Sequence, residues 1–171
     1  MYNESSSDVF CEVLVEHKKG SAEKIRMVLY IVIAVALLAA SLLFVPALAI
    51  FNVLVWALVY FLMRQDIKEY EYIFTSGELD IDVIIARSKR KRRITVNTDQ
   101  MEVFAPEGDH HLDGYQHGQF EDHDYSANDP SMKNYIYVGT VEDKRVRVKI
   151  TPNEKLIRKM YEYAPSKVVR Q

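Results

Sequence analysis

The sequence predicts an α+β membrane protein in which a transmembrane helical hairpin is followed by a small antiparallel β domain, a barrel or sandwich, with a C-terminal capping helix. Three observations carry this expectation. No charged side chain occurs from Met27 to Met63. The hydrophobic period changes from 3.6 to 2 shortly after Arg64. A capping signal at 151–154 then opens one last amphipathic helix. The chain accordingly divides into an N-terminal segment 1–24, a hairpin 25–64 and a β domain 65–171.

The apolar stretch is too long for one crossing. At 1.5 Å per residue a single helix from Met27 to Met63 would run about 55 Å, against a hydrocarbon core of about 30 Å. Two short helices fit, from Ile25 to about Val45 and from Ala47 to Met63, with Pro46 where the first must stop. Lys18, Lys19, Lys24 and Arg26 precede the pair, and Arg64 and Lys68 follow it. Because cations collect on the cytoplasmic side of short loops, both termini are expected in the cytoplasm of a multi-pass inner (plasma) membrane protein. Tyr30 and Tyr60 would meet the same leaflet. Ala36 and Ala40, facing Ala49, Val53 and Ala57, offer a small-residue route to close helix packing. Asn52 is the transmembrane polar contact, read as an interhelical hydrogen bond or as a transport or partner contact. Ala47-Leu48-Ala49 imitates a signal-cleavage site, but the leading region is too long and carries Glu4, Asp8, Glu12, Glu16 and Glu23, so an uncleaved anchor is expected.

The remaining elements follow in order. Val9, Phe10, Val13 and Leu14 fall at helical spacing after Asp8, which predicts a short amphipathic helix from Asp8 to His17, on the membrane surface or on the β domain. Cys11 within it is the single cysteine, which rules out an intrachain disulfide and fits a reducing compartment. Tyr70, Tyr72 and Phe74 alternate with polar residues, and after Gly77 so do Leu79, Ile81 and Val83. The basic run Arg87 to Arg93 is expected at a hairpin tip, before Ile94 and Val96 resume the alternation and Met101 to Phe104 adds a strand. Residues 106–130 read as a long acidic, His-rich loop with a short strand around 118–124. Tyr135 to Val141 and Arg145 to Ile150 form a further hairpin. Thr151-Pro152-Asn153-Glu154 reads as a capping box for a helix over 152–164, with Leu156, Ile157, Met160, Tyr161 and Ala164 on one face.

Short antiparallel strands closed by one amphipathic helix are the order of elements in pleckstrin-homology-like (PH-like) domains. Behind a two-helix hairpin, the stretch Tyr72-Ile73-Phe74-Thr75-Ser76-Gly77-Glu78-Leu79-Asp80-Ile81-Asp82, the Arg-rich turn before Ile94, Phe104-Ala105-Pro106 and Ile150-Thr151-Pro152-Asn153-Glu154-Lys155-Leu156 resemble a family of uncharacterised bacterial membrane proteins. These carry a cytoplasmic PH-like domain, as in the YcxB-like group. The resemblance implies an architecture and no catalytic motif. Ser76-Gly77-Glu78 lacks the cations with which eukaryotic PH domains hold phosphoinositides, so that ligand does not transfer.

Charge is segregated although 22 basic residues nearly balance 24 acidic ones. Arg87, Lys89, Arg90, Lys91, Arg92 and Arg93 form a candidate anionic-surface site for lipid headgroups; nucleic acid is not expected, since no aromatic residue interrupts the run. From Asp99 to Asp129 there are nine acids and no Lys or Arg. Within that span His110, His111, His117 and His123 are candidate metal ligands, although their spacing matches no standard site. The acidic loop could instead fold over the basic run and screen it. No phosphate loop, nucleophile elbow or metalloprotease motif occurs, so a non-enzymatic chain without cofactor is expected. The reading is a binding or scaffolding module with the lipid bilayer, a protein or a second copy of itself as partner. The alternative is a metal-responsive or transport-accessory role.

Overall fold

A computed structural model describes residues 10–44 and 49–170. Pro46 and Ala47, where the sequence predicts the break between helices, lie outside the described residues, as do Asp8 and Val9. Two four-stranded sheets enclose one core. The first has the order β1 (Phe10–Glu16), β2 (Lys68–Thr75), β3 (Glu78–Ile85), β4 (Lys89–Asn97), all antiparallel. In the second, β5 (Met101–Pro106) pairs β7 (Tyr135–Val141), which pairs β8 (Lys144–Ile150), and β6 (Glu121–Asp124) joins the far edge parallel to β8.

The segment expected as an amphipathic helix, Asp8 to His17, is a strand over its described part. Cys11, Val13 and Val15 point into the core, while Phe10, Glu12, Leu14 and Glu16 point out. This is the period-2 pattern of a half-buried strand, completed by a ladder that pairs Phe10 with Thr75 and Glu16 with Glu69. The β domain therefore begins before the apolar helices, not at residue 65. Burial pushes the Cys11 thiol above its usual pKa.

Between β1 and β2 the chain forms two apolar helices, α1 (Ser21–Phe44) and α2 (Ala49–Gln65). The His17 amide donates to the Lys68 carbonyl at 3.0 Å, so the chain leaves and re-enters the sheet at one point. Asn52 Nδ2 donates to Ser41 Oγ at 2.9 Å, and Ser41 Oγ donates to the Leu38 carbonyl at 2.8 Å. Arg26 pairs with Asp66 at 2.9 Å near the domain. Ala34, Ser41, Asn52 and Val59 are the buried residues of the contact. Ala36, Ala40, Val53 and Ala57, expected in it, are exposed. Their faces are turned away because the polar pair fixes the rotation of each helix about its axis.

α3 (Glu154–Tyr163) closes the core with Leu156 and Met160 fully buried. Its cap is Asn153, whose side chain accepts from the Leu156 amide at 2.8 Å, and not Thr151. The Thr151 hydroxyl is committed elsewhere, accepting from the Ala127 amide at 2.9 Å and donating to Asn134 Oδ1 at 2.7 Å. Gly139 permits a close strand approach, since a Cβ there would lie 2.6 Å from the Gln100 carbonyl oxygen.

Candidate functional site

From Lys89 onward the basic run is a strand, and Arg87 alone of its cations lies in the hairpin turn. The turn occupies Ala86, Arg87 and Ser88, with Ala86 and Arg87 in the left-handed region, and β4 starts at Lys89. What makes a strand of cations tolerable is the acid placed opposite. Asp82, on the outer face of β3, accepts from Arg90 Nε at 2.6 Å and Arg92 Nε at 3.4 Å. Arg92 also reaches Asp80 at 2.7 Å, and Arg90 reaches Glu71 at 2.5 Å. Arg87 meets Glu69 at 3.0 Å and Glu16 at 3.6 Å. Three of the six candidate cations are thus neutralised within their own sheet.

The other three face elsewhere. Lys91 stands opposite Val83 and Lys89 opposite Ile85, which places both on the core side of the edge strand, and Arg93 is the extra residue at a bulge between Ile94 and Arg92. All three are exposed, and no carboxylate pairs with them among the described residues.

The same outer face buries two carboxylates, Glu71 and Asp82. Burial first, and a hydrogen bond shared with Glu12 second, push the Glu71 carboxyl above the usual range, against the pull of Arg90. A carboxyl that titrates above its unfolded value of about 4.3 makes the native state bind the additional proton. Its contribution is complete below about pH 4 and is lost as pH rises through the raised value. In urea unfolding across that range, the stability of the parent protein relative to Glu71→Gln should decline with rising pH. A difference that instead grows with pH would reverse this assignment.

The acidic loop is folded. Asp109 caps a 3-10 helix at His110–Tyr115, and β6 lies along β8. Its acids pair with β8: Asp122 takes a two-pronged contact from Arg147 at 2.6 and 2.7 Å, Glu107 meets Lys149 at 2.7 Å, and Glu121 meets Lys144 at 3.4 Å. Arg145 and Arg147 lie over the Phe120 ring at 4.4 and 5.1 Å. Screening of the basic run by this loop is therefore not what the fold uses. The two features share a cavity of about 580 Å³ whose walls include Arg92, Arg93, Glu121 and His123.

The four candidate histidines are not brought together. His110 Nδ1 and His111 Nδ1 approach Asp109 Oδ1 at 3.2 and 2.6 Å, and these three residues could present one ligand atom each to a cation. His123 instead contacts Glu121 at 3.4 Å and stacks on Tyr125, and His117 is exposed. Asp109 Oδ1 already accepts the His111 amide at 3.0 Å, a bond that holds its carboxyl below the usual range.

A further contact region escaped the sequence reading: the loop after β6 grips the base of α1. His17 Nδ1 donates to the Ser126 carbonyl at 2.8 Å, the Lys18 amide donates to the Ala127 carbonyl at 2.7 Å, and Asn128 Nδ2 donates to the Lys18 carbonyl at 2.8 Å. The Lys18 ammonium, paired with Asp129, holds that carboxyl down at about 2. Only chain-distant pairing creates this clasp, so no local signal announces it.

Two small sheets around one core, closed by a C-terminal amphipathic helix, define a PH-like domain, a fold that suggests a binding or scaffolding module. The chain belongs to the family described as bacterial PH-like domain (DUF6106), whose model matches residues 7–170. That match runs through β1 and both apolar helices. Comparison with curated proteins and with solved structures gives no match.

Proposed function

We propose that the protein is a membrane-anchored, non-enzymatic binding and scaffolding module whose two apolar helices form a transmembrane hairpin and whose PH-like domain stays in the cytoplasm. One observation carries the reading: β1 and β2 are antiparallel neighbours residue by residue, and the described chain between them is chiefly the two apolar helices α1 and α2. A segment that leaves and re-enters one sheet at one point crosses a bilayer an even number of times. At 1.5 Å per residue, the 24 residues of α1 and 17 of α2 give lengths of about 36 and 25 Å, near the thickness of a hydrocarbon core. Their large apolar side chains are exposed almost all round, including Leu43 at 79% and Ile50 at 77%, which suits contact with lipid. The polar pair Asn52–Ser41 is held inside, where lipid requires it. Lys18, Lys19, Lys24, Arg26, Arg64 and Lys68 all lie at the domain end, as the positive-inside rule asks of a cytoplasmic face.

Cysteine labelling tests this in a Cys11→Ser background. Ala47→Cys should react with a membrane-impermeant maleimide from outside intact cells, and Ser88→Cys only after lysis. Both reacting from one side would remove the hairpin. The metal-responsive alternative rests on Asp109, His110 and His111, and the carboxylate among them already serves as a helix cap.

A further inference from the structure

A cleft of about 420 Å³ separates the last turn of α2 from the β3–β4 turn, lined by Tyr60, Phe61, Arg64, Ile85, Ala86, Ser88 and Lys89. The turn is fastened to the helix joint, since the Ala86 amide donates to the Ile67 carbonyl at 2.9 Å, and it is closed internally by the Ser88 amide donating to the Ile85 carbonyl at 3.1 Å. Two cations border the cleft, Arg64 and Lys89, and neither meets a carboxylate among the described residues. Their neighbours Arg87, Arg90 and Arg92 all do. The wall beside them is apolar, with Tyr60 at 67% and Phe61 at 57% exposure.

We propose that this cleft holds the phosphate of an anionic phospholipid between Arg64 and Lys89, with the acyl chains along Tyr60 and Phe61. The proposal rests on the membrane-hairpin reading, which sets the end of α2 at headgroup depth. Uncompensated positive charge above an exposed aromatic wall matches a ligand that is anionic at one end and apolar at the other. A free phosphate would match the cations and leave the wall uncovered. The remaining cations divide by the same test: those of the outer sheet face are neutralised by acids, and Lys91 and Arg93 stand farther along β4, away from the apolar wall.

Trp56 is the sole tryptophan and lies four residues before Tyr60 on the same face of α2, which makes its fluorescence a reporter of lipid at the cleft. Full-length protein is reconstituted in bilayers with brominated phosphatidylglycerol or brominated phosphatidylcholine at equal mole fraction. The glycerol lipid should be preferred at Trp56 by about 25-fold, from two cations each contributing about fivefold. Arg64→Gln with Lys89→Gln should abolish the preference while quenching by the choline lipid persists, and Lys91→Gln with Arg93→Gln should leave the preference intact. Equal quenching by both lipids in the parent protein, or a preference that survives loss of Arg64 and Lys89, would overturn the site with the hairpin untouched. Relief of the preference by inorganic phosphate would assign the cleft to a soluble anion and overturn it too. Absence of quenching by either lipid would overturn the hairpin itself.

Discussion

A fragment beginning at Lys68 should fail to fold, whereas a chain in which residues 19–66 are replaced by a short flexible turn should fold as a soluble domain. β1 delivers Cys11, Val13 and Val15 to the core at 1, 7 and 6% exposure. At about 1.5–3 kcal/mol for each fully buried apolar side chain of ordinary size, losing them costs roughly 5–8 kcal/mol. Domains of this kind are stable by only about 5–15 kcal/mol. The loss also opens the edge of β2, exposing its backbone groups as a template for aggregation. The second variant keeps all of this. The 3.0 Å bond from His17 to Lys68 leaves the two ends adjacent, so a tight hairpin connection can replace the helices. Amide dispersion in NMR spectra and a cooperative urea transition report the outcome. A cooperative transition in the Lys68 fragment would show that β1 is dispensable. Aggregation of the excised chain would show that the domain needs its helices to fold.

That expectation is where local and long-range information separate. From Phe10 to Glu16 two periods coexist: Phe10, Val13 and Leu14 trace a helical face, and Cys11, Val13 and Val15 a strand face. The tie is broken by Tyr70, Tyr72 and Phe74, which present the matching inward row and lie beyond both apolar helices. The hairpins around Ser76-Gly77 and Glu142-Asp143 are legible because each strand alternates and the turn is short. The face of α3 is equally plain, although its cap is displaced by two residues because Thr151 serves the core. The basic run misleads for an electrostatic reason. Its charge suggests a solvated tip until the alternation of Glu69, Glu71, Asp80 and Asp82 on the neighbouring strands is paired against it, and pairing is a property of register and not of composition. Helix rotation was hidden too. Small residues on both helices invite close packing, yet Asn52 and Ser41, the polar pair, choose the face.

Thr151→Val should destabilise the domain by about 2–4 kcal/mol, although the two side chains have nearly the same shape. Thr151 is 1% exposed and stands where both sheets, α3 and the loop after β6 converge. Its hydroxyl satisfies the Ala127 amide and binds Asn134, while its own amide donates to Tyr72 Oη at 3.3 Å; Tyr72 Oη donates in turn to the Tyr125 carbonyl at 2.6 Å. Valine leaves the Ala127 amide buried without a partner, a loss of about 1–3 kcal/mol, and removes the bond to Asn134, about 1 kcal/mol more. For a chain of this size that lowers Tm by about 5–15 °C. The effect reaches the apolar helices, because Ala127 also accepts from the Lys18 amide, next to the His17–Ser126 bond that ties α1 to the domain. Thr151→Ser keeps the oxygen and should stay within about 1 kcal/mol of the parent. Melting of the full-length protein in detergent decides between packing and hydrogen bonding. If serine proves as harmful as valine, the methyl group and not the hydroxyl holds this junction, and the link from core to the apolar helices has another origin.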